Sequence, residues 1–219
     1  MSYKEPYTEI LRKTFLKYMR ITFNLLPKMD RPKILDPGCG SGIPTLELAD
    51  LTNGDIIAID IDQELIDILV KKIKERDLTN RINTKKMDFL KNDFLNNYFD
   101  LIWEEGVLQV IGFKRSLKEC YRILKPGGFL VLCQSLNNLR KIQKLIIKSG
   151  FKLFNKFELP ENCWWTEYYE PLQMKLEEIK DSKENLTFIK NIKSVEAEIR
   201  MVKSNPKEYD CAYFIFQKE

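Results

Sequence analysis

The 219-residue chain contains no histidine. That removes the commonest general base at neutral pH and the commonest metal ligand, and no other set of residues suggests a metal site. Its cysteines, Cys39, Cys120, Cys133, Cys163 and Cys211, are odd in number, widely spaced and without a C-x-x-C pair. The pattern argues against a disulfide framework and a zinc site, and for a reducing compartment, so a cytoplasmic location is expected. No apolar run reaches the roughly 20 residues of a membrane-spanning helix, and no signal peptide is found. An excess of either charge is lacking too. The 36 basic and 32 acidic residues are interleaved and leave a net charge of +4, which permits nucleic-acid binding without suggesting it.

Glycine is also scarce, yet three of the nine alternate in the stretch Lys33-Ile-Leu-Asp-Pro-Gly-Cys-Gly-Ser-Gly42. A short apolar run ends in Asp36, glycines follow at Gly38, Gly40 and Gly42, and Ile43-Pro44-Thr45-Leu46 reads as a helix opening with proline in the first turn. Strand, glycine turn and helix N-terminus together bring backbone amides against an anionic or polar ligand. A dinucleotide fingerprint would need glycine at position 43, which is Ile, and a phosphate loop would need Lys-Ser/Thr where Ile43-Pro44 stands. The pattern D-x-G-x-G-x-G is present instead.

Asp55-Ile-Ile-Ala-Ile-Asp60 reads as a second, buried parallel strand ending in an acid 18 residues past Gly42. That spacing suits a bidentate grip on two ribose hydroxyls. Asp62 is the expected N-cap of a helix to about Asp77, with Leu65, Ile66, Leu69 and Ile73 as its buried stripe. A short strand over 82–87 leads to Asp88-Phe89. Phe99-Asp-Leu-Ile-Trp103 then leads to Glu104-Glu105-Gly106, which places two carboxylates at a strand's carboxyl end. A helix over 115–124 precedes Lys125-Pro-Gly-Gly128 and the strand Phe129–Cys133. Alternation from 33 to 133 implies a doubly wound parallel sheet, with every candidate ligand residue at the carboxyl end of a strand.

The glycine motif, Asp60, the Phe-Asp-Leu-Ile run and the Leu-Lys-Pro-Gly-Gly phrase resemble the class I S-adenosylmethionine-dependent methyltransferases. The resemblance implies a Rossmann-like, mostly parallel seven-stranded α/β sheet, its last strand antiparallel and inserted between the fifth and sixth. It implies S-adenosyl-L-methionine as cofactor, with S-adenosyl-L-homocysteine as product. Residues expected at the cofactor are Asp36, Gly38, Cys39, Gly40, Gly42, Asp60 and Ile61, with Asp88 at the adenine amino group, Phe89 against the ring and Glu104 at the methionyl end.

Residues 6–26 read as one amphipathic helix, with Leu11, Phe15, Tyr18, Leu25 and Leu26 on one face and Lys13, Lys17 and Arg20 on another. A helix over 138–149, a strand over 151–159 and a last strand over 210–217 follow the fifth strand. Between them lies 160–208, too long for a hairpin loop. It reads as a helical lid, with helices near 171–180 and over 185–203, the latter carrying Phe188, Ile192, Val195, Ile199 and Val202. One methyltransferase domain is therefore expected over 1–219: an N-terminal helical segment (1–30), a nucleotide-binding core (31–159), the insert (160–208) and a final strand (209–219).

The insert opens with a knot of aromatic residues. Trp164, Trp165, Tyr168 and Tyr169 either pin the insert to the domain or wall a substrate site, and both readings stand. Together with Glu-Glu-Gly-Val-Leu-Gln-Val-Ile-Gly-Phe after the fourth strand, the Leu-Pro-Glu-Asn-Cys-Trp segment resembles a group of small bacterial and archaeal methyltransferases. Trp164, Trp165, Tyr169 and Tyr7 are the expected substrate residues, and Glu105, Glu161 and Tyr168 the candidate bases in a chain without histidine. The expected reaction is in-line transfer to a small-molecule acceptor, in a monomer or homodimer. Its rivals are a non-catalytic S-adenosylmethionine sensor or scaffold, an RNA or protein methyltransferase, a nucleic-acid module built on the basic N-terminal face, and a nicotinamide oxidoreductase, which Ile43 disfavours.

Overall fold

The protein is described by a computed structural model covering residues 6–182 and 192–219. The apolar runs that suggested buried strands sit at the centre of the sheet. Strand β1 (Lys33–Pro37) pairs in parallel with β2 (Asp55–Asp60) on one side and β4 (Phe99–Glu104) on the other. Outside these lie β3 (Ile82–Lys86) and β5 (Leu124–Ser135), also parallel. The last strand, β7 (Cys211–Lys218), runs antiparallel between β5 and β6 (Phe151–Glu158). The order β3-β2-β1-β4-β5-β7-β6 is the one the resemblance implies.

Helices cover both faces, as a parallel sheet requires. Period-two alternation sends Ile34 and Trp103 to one core, with Leu48 of α3 (Ile43–Leu51) and Leu69 of α4 (Gln63–Glu75). It sends Leu35, Ile102 and Leu130 to the other, with Leu117 of α6 (Phe113–Ile123) and Ile146 of α7 (Leu136–Lys148). A five-residue helix, α5 (Val107–Ile111), also lies after β4, in a stretch without a separate helix signal of its own.

The single helix expected over 6–26 is broken. The chain forms α1 (Tyr7–Lys13) and α2 (Leu16–Phe23), with three-residue backbone bonds from Thr14 to Leu11 and from Phe15 to Arg12 at the junction. The Thr14 hydroxyl also donates to the Leu11 carbonyl at 2.7 Å, a local bond of the kind that competes with helix propagation. The break sends Leu11 into a small third core, while Phe15, Tyr18 and Met19 enter the main one. Around Lys125-Pro-Gly-Gly128 the expected turn is an irregularity within β5. Phe99 pairs with Leu124, and Leu101 next pairs with Phe129.

Within the insert, a π-helical turn (Trp165–Tyr169) runs into α8 (Glu170–Ser182), and α9 (Ile192–Ser204) returns towards β7. Ile199 packs with Leu11, Leu172 and Leu176 in the third core. Phe188 and the start of the expected second helix lie outside the described residues.

Candidate functional site

Of the three alternating glycines, only Gly40 faces open space. All three have positive φ, the left-handed region that glycine tolerates. A Cβ on Gly38 would meet Val107 at 2.8 Å, and one on Gly42 would strike Leu69, whereas a Cβ on Gly40 would meet nothing within 4 Å. The loop is also less bare than expected. The Gly38 and Cys39 amides donate to the Ile59 carbonyl, and the Gly40 amide donates to Asp60 Oδ2 at 2.9 Å. A turn packed against the end of β2 must satisfy these buried donors internally.

Asp60 thus ties the glycine loop to the end of β2, while its Oδ1 accepts the Asp62 amide at 2.9 Å. Beside it, the Ile61 side chain is 70% exposed, an apolar surface with no cover. Asp62 caps α4 through the Glu64 amide, as its position predicts. Asp36 and Cys39 are both buried under the loop. Asp36 accepts the Thr45 hydroxyl at 2.5 Å and so braces the first turn of α3; burial pushes its carboxyl up to about 7. Burial likewise pushes the Cys39 thiol far up, which leaves it unreactive. Asp88 accepts the Leu90 amide at 2.9 Å, and the short 3₁₀ turn that follows draws Phe89 into the core with Leu35 and Ile59. Phe89 is therefore buried as a packing residue, where the resemblance implies a side chain against the adenine ring.

The paired glutamates separate completely. Glu104, expected at the crevice, is fully buried beneath α5; its Oε1 accepts the Leu108 amide at 2.8 Å. Its Oε2 has no partner among the described residues, and burial pushes the carboxyl up to about 7. Adjacent side chains of a strand face opposite ways, so Glu105 points to the other side of the sheet. There Glu105 Oε1 accepts Trp103 Nε1 at 2.9 Å and the Tyr213 hydroxyl at 2.7 Å, and Oε2 accepts Arg12 Nη2 at 2.7 Å. With both oxygens held by donors, Glu105 is a poor candidate for taking a proton from an acceptor.

Arg12 brings α1 across the carboxyl ends of the strands. One turn earlier α1 carries Glu9, which pairs with Lys72 of α4 at 2.8 Å, and the same Lys72 reaches the Ser41 carbonyl of the glycine loop at 3.2 Å. α1 therefore spans from the glycine loop to the end of β4, the point where strand order reverses and open α/β sheets bind ligands.

Beside Glu105 lies a cavity of about 960 Å³. Arg12, Trp164, Tyr169 and Cys211 line it, together with Gln134, Asn138, Arg140 and Lys141. The expected aromatic residues divide between the two readings. Trp164 and Tyr169 line the cavity, Trp164 stacked on Phe15 at 4.5 Å and covered by the Arg12 guanidinium at 5.2 Å. Tyr7 and Trp165 pack against the third core instead, and Tyr168 packs against Trp164 and Tyr169. Glu161 is exposed and does not line the cavity. Of the three candidate bases, then, only Glu105 lines it. Arg12, Gln134 and Tyr213 were missed. Arg12 resembles its basic neighbours on α1, Gln134 lies one residue past the expected strand Phe129–Cys133, and Tyr213 lies inside a run that reads simply as strand.

This sheet order and crevice define the fold of the class I S-adenosylmethionine-dependent methyltransferases. Residues 35–132 match the family described as Methyltransferase domain. Among curated relatives, a demethylmenaquinone methyltransferase of Lactobacillus johnsonii is 33% identical over 126 residues, which make up 56% of this chain and 52% of the relative. The chain thus spans about half the length of that relative. Among solved structures, the [4+2]-cyclase SpnF superposes with a TM-score of 0.76 at 19% identity, covering 94% of this chain and 80% of its own. Phosphoethanolamine N-methyltransferase 2 of Haemonchus contortus, in complex with S-adenosyl-L-methionine, gives 0.72 at 16% identity, covering 92% of this chain and 52% of its own. Among the described residues, no helix is long and apolar enough to cross a membrane.

Proposed function

We propose that the chain is a methyltransferase that binds S-adenosyl-L-methionine at the Gly38–Gly42 loop and transfers its methyl group to a small molecule in the cavity beside Glu105. The observation that carries this reading is the hydrogen bond from the Gly40 amide to Asp60. It sets a strand-end carboxylate next to the one glycine of the loop whose Cβ direction is open, with the exposed Ile61 alongside. Such a cradle fits a nucleoside: Asp60 has oxygen lone pairs left for ribose hydroxyls, Ile61 offers apolar cover for the base, and Asp88 stands near the next strand end.

When bound, the cofactor supplies a methyl group already activated on a sulfonium. The chain then has to align the acceptor and keep water out more than it has to supply strong acid–base chemistry. Arg12, Glu105, Trp103 and Tyr213 form a rigid polar cluster at the boundary between loop and cavity, suited to positioning. Trp164 and Tyr169 provide aromatic surface for the acceptor. Tyr168 and Glu161 are not given catalytic roles in this reading. The domain division expected from the sequence is kept, with 160–208 as the cover of the cavity. Five free thiols and a chain without long apolar helices among the described residues support a cytoplasmic setting. Small-molecule chemistry is further supported by the demethylmenaquinone relative.

The test is calorimetric titration with S-adenosylmethionine, S-adenosylhomocysteine and NADH in parallel. Micromolar binding of the two sulfur nucleosides with silence from NADH is the expected result. Failure of both sulfur nucleosides to bind would remove the reading.

A further inference from the structure

We propose that the acceptor carries a carboxylate or phosphate group, received by Arg140 and Lys141 at the first turns of α7 while the buried Gln134 amide bonds the polar group beside it. The proposal rests on the methyl-transfer reading for the purpose of the bound molecule, but its recognition site stands on the cavity alone.

Three observations converge there. First, Arg140 and Lys141 line the cavity and are exposed, and neither makes an ion pair or hydrogen bond among the described residues. The cavity's other cation, Arg12, is already neutralised by Glu105, and the remaining acid on the wall is Glu208. With Arg140 and Lys141 set against Glu208, the charge left over in the cavity is net positive. Second, the cavity lies at the amino end of a 13-residue helix, α7, whose dipole favours an anion.

Third, Gln134 lines the same cavity at only 3% exposure, and neither its Oε1 nor its Nε2 has a partner among the described residues. A buried amide with both ends unmatched has given up its water without return, and such groups are exceptional in native proteins. A ligand that offers a donor and an acceptor side by side would supply the missing partners. Ligand pockets are mostly apolar, whereas much of this lining is amide and cationic side chains: Gln109, Gln134, Asn137, Asn138, Arg140 and Lys141. The acceptor it fits is polar and negatively charged.

The experiment uses the full chain and follows tryptophan fluorescence, since Trp164 lines the cavity, during titration with inorganic phosphate, acetate and neutral acetamide. S-adenosylhomocysteine is titrated into the same samples. The expected result is binding of at least one anion, none of acetamide, and a loss of anion affinity of about 5-fold or more in the double variant R140A/K141A. A preference for phosphate over acetate, or the reverse, identifies which group the acceptor bears. Gln134→Leu should weaken the anion while leaving the protein folded. If the wild type takes neither anion, binds acetamide as well as acetate, or binds anions no better than the double variant, the proposal is wrong. If anions bind as expected and S-adenosylhomocysteine does not, the cofactor reading fails and the anion site stands.

Discussion

Arg12 and Glu105 are 93 residues apart in sequence and 2.7 Å apart in space, and their pair closes α1 over the carboxyl end of β4. Glu105 is the better buried partner, with its side chain 10% exposed against 26% for Arg12. Replacing Arg12 by alanine strips the only cation among the described residues that pairs with a carboxylate keeping the Trp103 and Tyr213 donors. Because the pair is partly solvated, the expected cost is about 1–2 kcal/mol in urea unfolding, below that of a fully buried pair. S-adenosylhomocysteine should bind more weakly as well, because α1 loses its hold on one side of the crevice. Unchanged stability and affinity would mean that the pair ties nothing together.

The glycines of the loop should respond differently to the same substitution. Gly40→Leu places a side chain in open space, at the expense of a left-handed backbone worth about 1–2 kcal/mol. The protein should fold and lose its affinity for S-adenosylhomocysteine. Gly42→Leu drives into Leu69 of α4 and should compromise folding itself. Circular dichroism melts beside ligand titrations distinguish the two outcomes; a Gly40→Leu variant that still binds would dissociate the loop from the cofactor.

Two buried carboxyls set a pH trend. Asp36 and Glu104 are both pushed up to about 7 in the fold, above the values near 4 of an unfolded chain. Between those limits the folded state holds more protons, so their contribution to stability is full at low pH, falls as pH rises from about 4 to about 7, and levels off above. Glu104→Gln keeps an acceptor for the Leu108 amide and removes one of the two titrations. Its urea midpoint should fall less than that of the wild type between pH 5 and pH 8. Parallel profiles would show that Glu104 does not titrate in this range.

Gln134→Leu should leave stability unchanged or raise it by about 1 kcal/mol, since the amide it removes has no partner among the described residues to lose. A thermal melt decides: a clear loss of stability would mean that Gln134 holds structure, not ligand.

Much of the fold was legible because its signals are local. Apolar runs with an acid at the end, Asp62 ahead of Ile66 and Leu69, and glycine spacing each depend on a few neighbouring residues. The place of β7 was legible only through resemblance, as antiparallel insertion is set by long-range pairing. The site was read less well for the same reason. Glu104 and Glu105 look equivalent in sequence, and only strand alternation with the arrival of α5 buries one and exposes the other to Arg12. Phe89 and Trp165 share the composition of ligand-facing rings, but a 3₁₀ turn and the third core claim them. Nor does the fold itself dictate the reaction, since a [4+2]-cyclase shares it, and chemistry has to be argued from the residues at the crevice.

β6 has one neighbour in the sheet, β7, and β7 is the last strand in chain order. On a ribosome β6 therefore emerges before anything can pair with it, while β5 waits with its outer edge bare. The other five strands can assemble around β1 during synthesis, but β5 and β6 are joined only when the segment from Cys211 onward emerges. Unpaired edges are sites of intermolecular pairing. A nascent chain halted before Cys211 would leave the outer edge of β5 and both edges of β6 bare, which favours aggregation until β7 emerges.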